Sequence, residues 1–258
     1  METILAFSCV LFTLVLIRIR SCLPSSSKTL QRGKALSVFV VFGSGGHTSE
    51  MLQLLMKLEN VKYDPCYFVL ANTDVTSEGR IRSVKLPLLE RAKWLKIQRS
   101  REVKQSYFST IFTSLKSLAE CFYIIATIQP DLIICNGPGT CVPLCYAMVI
   151  LRVLGVTQDS SIVFAESFCR VQSLSLTGKL LYYISDVFLV QWPLLAEKYP
   201  RAKHIGTICW APAQYIVSIV TIMYINKKSL YSSLNMYNWN NNSYHGTHIH
   251  RIPNTQPE

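Results

Sequence analysis

In VVFGSGGHTSEM, residues 40–51, an apolar, β-branched run ends in a turn of three glycines and a histidine, and a helical pattern starts at once. The run begins at Ala35 as ALSVFVVF, continuous rather than alternating, as in a strand covered on both faces. Beyond the turn, Met51, Leu52, Leu54, Leu55 and Leu58 recur at helical spacing. Strand, glycine turn and helix in that order open a βαβ unit.

The same alternation continues outward. CYFVLANTD (66–74) reads as a second strand, and residues 79–104 as a basic, irregular region. A long helical pattern follows from Tyr107 to Ile128 and ends before Pro130. DLIICNGPGT (131–140) repeats strand and glycine turn, with a helix in CVPLCYAMVILRVLG; SSIVFAESFCRV (160–171) and SDVFLVQWP (185–193) supply further strands. Strands alternating with helices predict right-handed crossovers, and so an α/β, Rossmann-like doubly wound parallel sheet over residues 35–206.

The flanks have a different character. METILAFSCVLFTLVLIRIR carries no charge from Thr3 to Ile17, and Arg18, Arg20, Lys28, Arg32 and Lys34 follow. Snorkelling at both ends brings this short helix close to a bilayer span, and the positive-inside rule puts the body of the chain in the cytosol. Residues 1–20 therefore read as a membrane anchor and 21–34 as a linker. Residues 207–225 hold no charge, which makes them a candidate second membrane segment despite Pro212; residues 226–258, rich in Asn, Ser, Tyr and His, read as a disordered polar tail.

The 258 residues are half hydrophobic and carry a formal charge of +11, which leans toward anionic membrane surfaces or phosphate-bearing ligands. Residues 79–104 alone hold nine Lys/Arg against two Glu, interleaved with leucines and Trp94. That pattern suits anionic headgroups, whereas nucleic-acid binding would need stacking aromatics or a reading helix, and neither is evident. Nine cysteines without any CxxC pair or zinc spacing predict small buried hydrophobes in a reducing compartment, and no metal.

Ligands of a doubly wound sheet bind at the carboxyl ends of its strands, where helix N-termini present free N–H groups. Four segments reach that edge: Gly43–His47, Thr73–Asp74, Asn136–Thr140 and Glu166–Arg170. The first is not a dinucleotide fingerprint, since Thr48 stands where G-x-G-x-x-G needs its last small residue, and no Gly-Lys-Ser/Thr of a P-loop follows. Its glycines still permit close backbone approach to a diphosphate. The expected phosphate-binding set is Gly43, Ser44, Gly45, Gly46 and Thr48, with Asp74, Asn136, Gly137, Gly139, Thr140 and Arg170. His47 is either a helix cap or a side chain that reaches a ligand hydroxyl or phosphate. Glu166 is either a carboxylate delivered to the site or the partner of Arg170 one helical turn on, and Asp74 has a similar alternative as an N-cap.

Taken in order, GSGGHTSEM, RSREVKQS, ICNGPGTCVP and AESFCRVQSLSLTGKLLYYISDVFLVQWPLLAEKYP resemble the membrane-anchored subunit family of the two-part UDP-N-acetylglucosamine transferase of the dolichol pathway, over roughly residues 1–206. The resemblance implies the acceptor half of a GT-B glycosyltransferase on the cytosolic face of the endoplasmic reticulum, with no cofactor. The donor half would come from a soluble UDP-GlcNAc-binding catalytic subunit, and activity only from the complex. The acceptor would be dolichyl-diphosphate-GlcNAc, whose sugar 4-hydroxyl attacks UDP-GlcNAc with inversion to give a β1,4 link. His47 and Glu166 are then the expected catalytic residues. The family pattern ends near IGTI (205–208), and this chain continues. A scaffold without catalytic groups, a lone phosphate-ligand binder, and a variant inactivated by its tail are the alternatives, the last with Asn241 as a glycosylation acceptor if 207–225 spans the membrane.

Overall fold

The computed structural model describes residues 2–22, 35–57, 63–84, 87–99, 107–157 and 160–208. In chain order the elements are α1 (Glu2–Cys22), β1 (Leu36–Val41), α2 (Gly46–Lys57), β2 (Tyr63–Ala71), α3 (Val75–Ser83), α4 (Pro87–Arg91), β3 (Lys93–Ile97), α5 (Tyr107–Ile128), β4 (Leu132–Asn136), α6 (Cys141–Val153), β5 (Ser161–Ala165), α7 (Leu176–Leu181), β6 (Val187–Val190), α8 (Pro193–Lys198) and β7 (Ala202–His204). The strands form one sheet in the order β3-β2-β1-β4-β5-β6-β7, with every neighbouring pair parallel.

The unbroken hydrophobicity of β1 has a direct cause in this architecture. Val38 and Val40 point into one core with Leu54 and Leu55 of α2, while Phe39 and Val41 point into a second core with Cys121 and Ile125 of α5 and Cys145 and Met148 of α6. Alternate side chains leave a strand on opposite faces, so a strand covered twice must be apolar throughout. Each such side chain contributes about 1.5–3 kcal/mol on burial.

Two strands were not anticipated. The described residues of the basic region form the end of α3, then α4 and edge strand β3, which among the described residues pairs only with β2. Edge position explains the disguise: of the five residues of β3 only Ile97 is fully buried, so Lys93 and Lys96 are tolerated. Trp94 packs edge-on against Phe68, with ring centroids 5.7 Å apart, and the Arg82 guanidinium lies 4.3 Å from its ring centroid. Glu78 binds both Arg82 and Lys96 at 2.9 Å, so part of the positive run is neutralised within the fold. The other added strand, β7, carries the core on to Ile205 and Ile208, whose amide donates to Gln191 Oε1 at 2.8 Å.

The end of α1 is fastened to the sheet domain. Arg18 Nε donates to the Val153 carbonyl at 3.1 Å, and the fully buried Arg152 donates from Nη1 to the Cys22 carbonyl at 3.1 Å. Arg152 is neutralised by Asp186, with Nη2 2.9 Å from Oδ2. Among the described residues no helix is long and apolar enough to cross a membrane. Several side chains of α1, at 2–7, 9–11 and 15, lie outside the described ones. So do the linker at 23–34, most of RSREVKQS, the apolar segment after Ile208 and the tail at 226–258.

Candidate functional site

The chain leaves β1 toward β2 on one side and later returns to β4 on the other, so the order reverses between β1 and β4. The loops after these two strands diverge there and leave a crevice at the carboxyl edge. Both glycine turns open onto it.

The first turn is built for close backbone contact. Gly43 is buried, and a Cβ there would come within 2.8 Å of Pro138 Cβ and 2.9 Å of His47 Cβ. Gly45 has φ +64°, and Ser44, Gly45 and Gly46 are exposed at the start of α2. Their peptide groups stand where a helix offers N–H donors and a positive dipole end. Across the crevice Gly137 has φ +63° and lies against the His47 imidazole: a Cβ on Gly137 would meet the ring, 2.6 Å from Nδ1. The two glycine turns therefore fit together around one histidine. Among the described residues the buried His47 Nδ1 has no partner, nor has Asn136 Oδ1, while Asn136 Nδ2 donates to the His47 carbonyl at 3.0 Å.

Other expected site residues support this turn from beneath. Thr48 is fully buried and its hydroxyl donates to the Gly43 carbonyl oxygen, so it braces the turn. It also lies 2.8 Å from the Ser77 hydroxyl, which donates to Asp74 Oδ2 at 2.7 Å. Asp74 in turn caps α3 by accepting from the Ser77 amide at 3.1 Å, the alternative role weighed for it from sequence. Thr140 occupies the N-cap position of α6 without a capping bond, and Gly139 is unobstructed.

Glu166 reaches the predicted edge but turns inward. It is fully buried; Oε1 accepts from the Ser167 amide at 3.1 Å, and Oε2 from the Ser175 amide at 2.9 Å and the Ser175 hydroxyl at 3.1 Å. Gly178 lies so close to Oε2 that any side chain there would displace the carboxylate. These contacts shape the loop between β5 and α7, and Ser175 itself caps α7. No ion pair joins Glu166 to Arg170 among the described residues; Arg170 is exposed.

Two site residues were missed. Glu50, one turn after His47, accepts from Ser167 Oγ at 2.9 Å and the Phe168 amide at 3.3 Å, and so ties α2 to the loop after β5. Arg80 reaches from α3 to the Gly45 carbonyl at 3.2 Å and Ser49 Oγ at 2.9 Å, which holds a cation beside the exposed turn. In sequence, Glu50 is one acidic residue on a helix and Arg80 one charge in a basic run. Only the sheet order brings them here. Among the described residues no three His, Cys, Asp or Glu side chains cluster as a metal site.

Residues 38–208 match the family model described as "Oligosaccharide biosynthesis protein Alg14 like". The human UDP-N-acetylglucosamine transferase subunit ALG14 is 47% identical over 183 residues, 68% of this chain and 84% of that protein. The subunit alg14 of Schizosaccharomyces pombe is 43% identical over 204 residues, 77% of this chain and 95% of that protein. Among solved structures, MurG of Acinetobacter baumannii superposes with a TM-score of 0.45 at 17% identity, over 62% of this chain and 42% of that one, so the chain spans less than half its length. With the matched span covering the sheet and both glycine turns, the chain belongs to the Alg14-like family of oligosaccharide biosynthesis proteins.

Proposed function

We propose that this chain is the acceptor-binding subunit of a UDP-N-acetylglucosamine transferase, adding the second GlcNAc to dolichyl-diphosphate-GlcNAc. The observation that carries this reading is the pairing of two glycine turns at the sheet's switch point around His47, with buried atoms on His47 and Asn136 that have no partner among the described residues. Backbone N–H groups of Gly43–Gly46 and of Gly137 and Gly139 cradle the diphosphate, and Arg80 offsets its charge. His47 lies beside the sugar. The names of the human and yeast relatives, each a transferase subunit, support the same assignment.

The donor half of the site comes from a soluble UDP-GlcNAc-binding partner, and transfer requires both chains. The attacking 4-hydroxyl displaces UDP with inversion, which gives the β1,4 link. The domain faces the cytosol at the endoplasmic reticulum membrane, anchored by α1. Phe12, Leu14, Leu16 and Ile17 are all about half exposed or more, at 64%, 57%, 48% and 60%. Large apolar side chains exposed around a helix suit lipid better than water. The link from Arg152 to the Cys22 carbonyl fixes the domain's orientation to that helix.

The test is co-purification from membranes with the soluble subunit, alongside a version truncated after Ile208, followed by assay of GlcNAc transfer to a lipid-diphosphate-GlcNAc acceptor. Binding and turnover by the truncated chain are expected. If neither form binds the partner, the subunit reading is refuted. Full turnover in a His47→Ala complex would refute the placement of His47 beside the sugar.

A further inference from the structure

Two carboxylates stand at the carboxyl edge beside β4 and β5, and their hydrogen bonds separate them. Glu166 is enclosed and both its oxygens are held by donors from its own loop. Glu50 is only partly buried, and spacing of three on α2 puts it on the same helix face as His47. Its Oε1 is anchored by Ser167 and Phe168. Among the described residues Oε2 meets only Asn136 Nδ2, at 3.4 Å, a long contact for an oxygen able to accept two hydrogen bonds.

The side chain that meets Oε2 has an unmet acceptor of its own. Asn136 is 0% exposed, yet among the described residues its Oδ1 has no partner, and His47 Nδ1 is buried in the same condition. A buried polar atom without a partner costs about 1–3 kcal/mol, and an amide oxygen can only accept, so Asn136 calls for a donor that the described residues do not supply. A sugar ring supplies such donors through its hydroxyls. A diphosphate, which has none, does not.

We propose that Glu50 is the carboxylate that receives the proton of the attacking sugar hydroxyl; this rests on the acceptor-binding reading above. As the hydroxyl oxygen bonds to the anomeric carbon of UDP-GlcNAc, its proton passes to Glu50 Oε2, and UDP leaves with the electron pair of the broken C–O bond. Asn136 Oδ1 accepts from a second hydroxyl and orients the ring. Ser167 and Phe168 hold Oε1, so the carboxylate presents one oxygen in a set direction.

The test uses the full two-subunit complex with UDP-GlcNAc and a lipid-diphosphate-GlcNAc acceptor, and compares wild type with Glu50→Gln, Glu50→Asp and Glu166→Gln. Glutamine keeps an oxygen for Ser167 and Phe168 and replaces Oε2 with an uncharged NH2 that cannot take up a proton. Glu50→Gln is expected to lower kcat about 10²–10⁴-fold with a much smaller change in acceptor KM, and to abolish the acid limb of the kcat–pH profile. Glu50→Asp is expected to restore part of the rate together with that limb. Glu166→Gln is expected to lower the melting temperature and retain the limb. Wild-type kcat in Glu50→Gln, or a reduced kcat with the acid limb unchanged, overturns the proposal. A wild-type complex that transfers no GlcNAc refutes the acceptor reading itself, which separates the two failures.

Discussion

Replacing Gly137 by alanine tests the pairing of the two glycine turns. Gly137 has φ +63°, a region that costs an L-residue about 1–2 kcal/mol. The added Cβ would also stand 2.6 Å from His47 Nδ1, far inside van der Waals contact, so the ring must turn or the crevice open. Overpacking of that kind costs about 1–3 kcal/mol, which makes the expected loss about 2–5 kcal/mol. For a domain of this size each kcal/mol shifts Tm by about 2–4 °C, so melting of the purified complex should fall by roughly 4–20 °C. Gly139→Ala, two residues on in the same loop, is the internal control. Its Cβ would meet nothing within 4 Å, and it should stay within about 0.5 kcal/mol of wild type. In Gly137→Ala/His47→Ala the clash is gone, so only the backbone cost remains and the two losses should not add. Equal melting of the Gly137 and Gly139 variants, or strict additivity in the double variant, would refute the reasoning.

Arg152→Leu should cost about 3–5 kcal/mol by leaving Asp186 without its buried partner; most of that loss, read as Tm, should return when Asp186→Asn is added. Lys96 first, and then Arg82, hold the Glu78 carboxyl below its usual pKa of 4.5. A depressed pKa stabilises the fold above the unfolded value, and the benefit disappears as pH falls through the folded one. The Tm difference between wild type and Glu78→Gln should thus be largest at neutral pH and close below the ordinary carboxylate range. Burial pushes the thiols of Cys66 and Cys121 up to about 12, and those of Cys135 and Cys141 well up. Only the exposed Cys169, among the seven described cysteines, should take up maleimide in the native state by peptide-resolved mass spectrometry, and labelling of Cys66 before unfolding would contradict the packing.

The buried strands β1, β4, β5 and β6 were legible in sequence because a strand covered on both faces leaves an unbroken apolar run. Length and the glycine turns after β1 and β4 set their boundaries. Edge strand β3 was not legible: with one neighbour and little burial, it can carry two lysines in five residues and reads as loop. The three residues of β7 are too short to show a period.

The chain by itself also determined which loops reach the carboxyl edge, since glycines and polar residues directly after apolar runs mark that edge whatever the strand order. What it could not determine was the direction each polar side chain takes. Thr48, Asp74 and Glu166 have the right types at the right edge, yet they turn inward and satisfy backbone groups of their own loops. Glu50 and Arg80, which look like ordinary helix charges, are carried to the crevice because α2 and α3 follow neighbouring strands. Burial and hydrogen-bond partners are properties of long-range packing. Residues separated by 117 positions, as Glu50 and Ser167 are, meet only after the sheet has assembled.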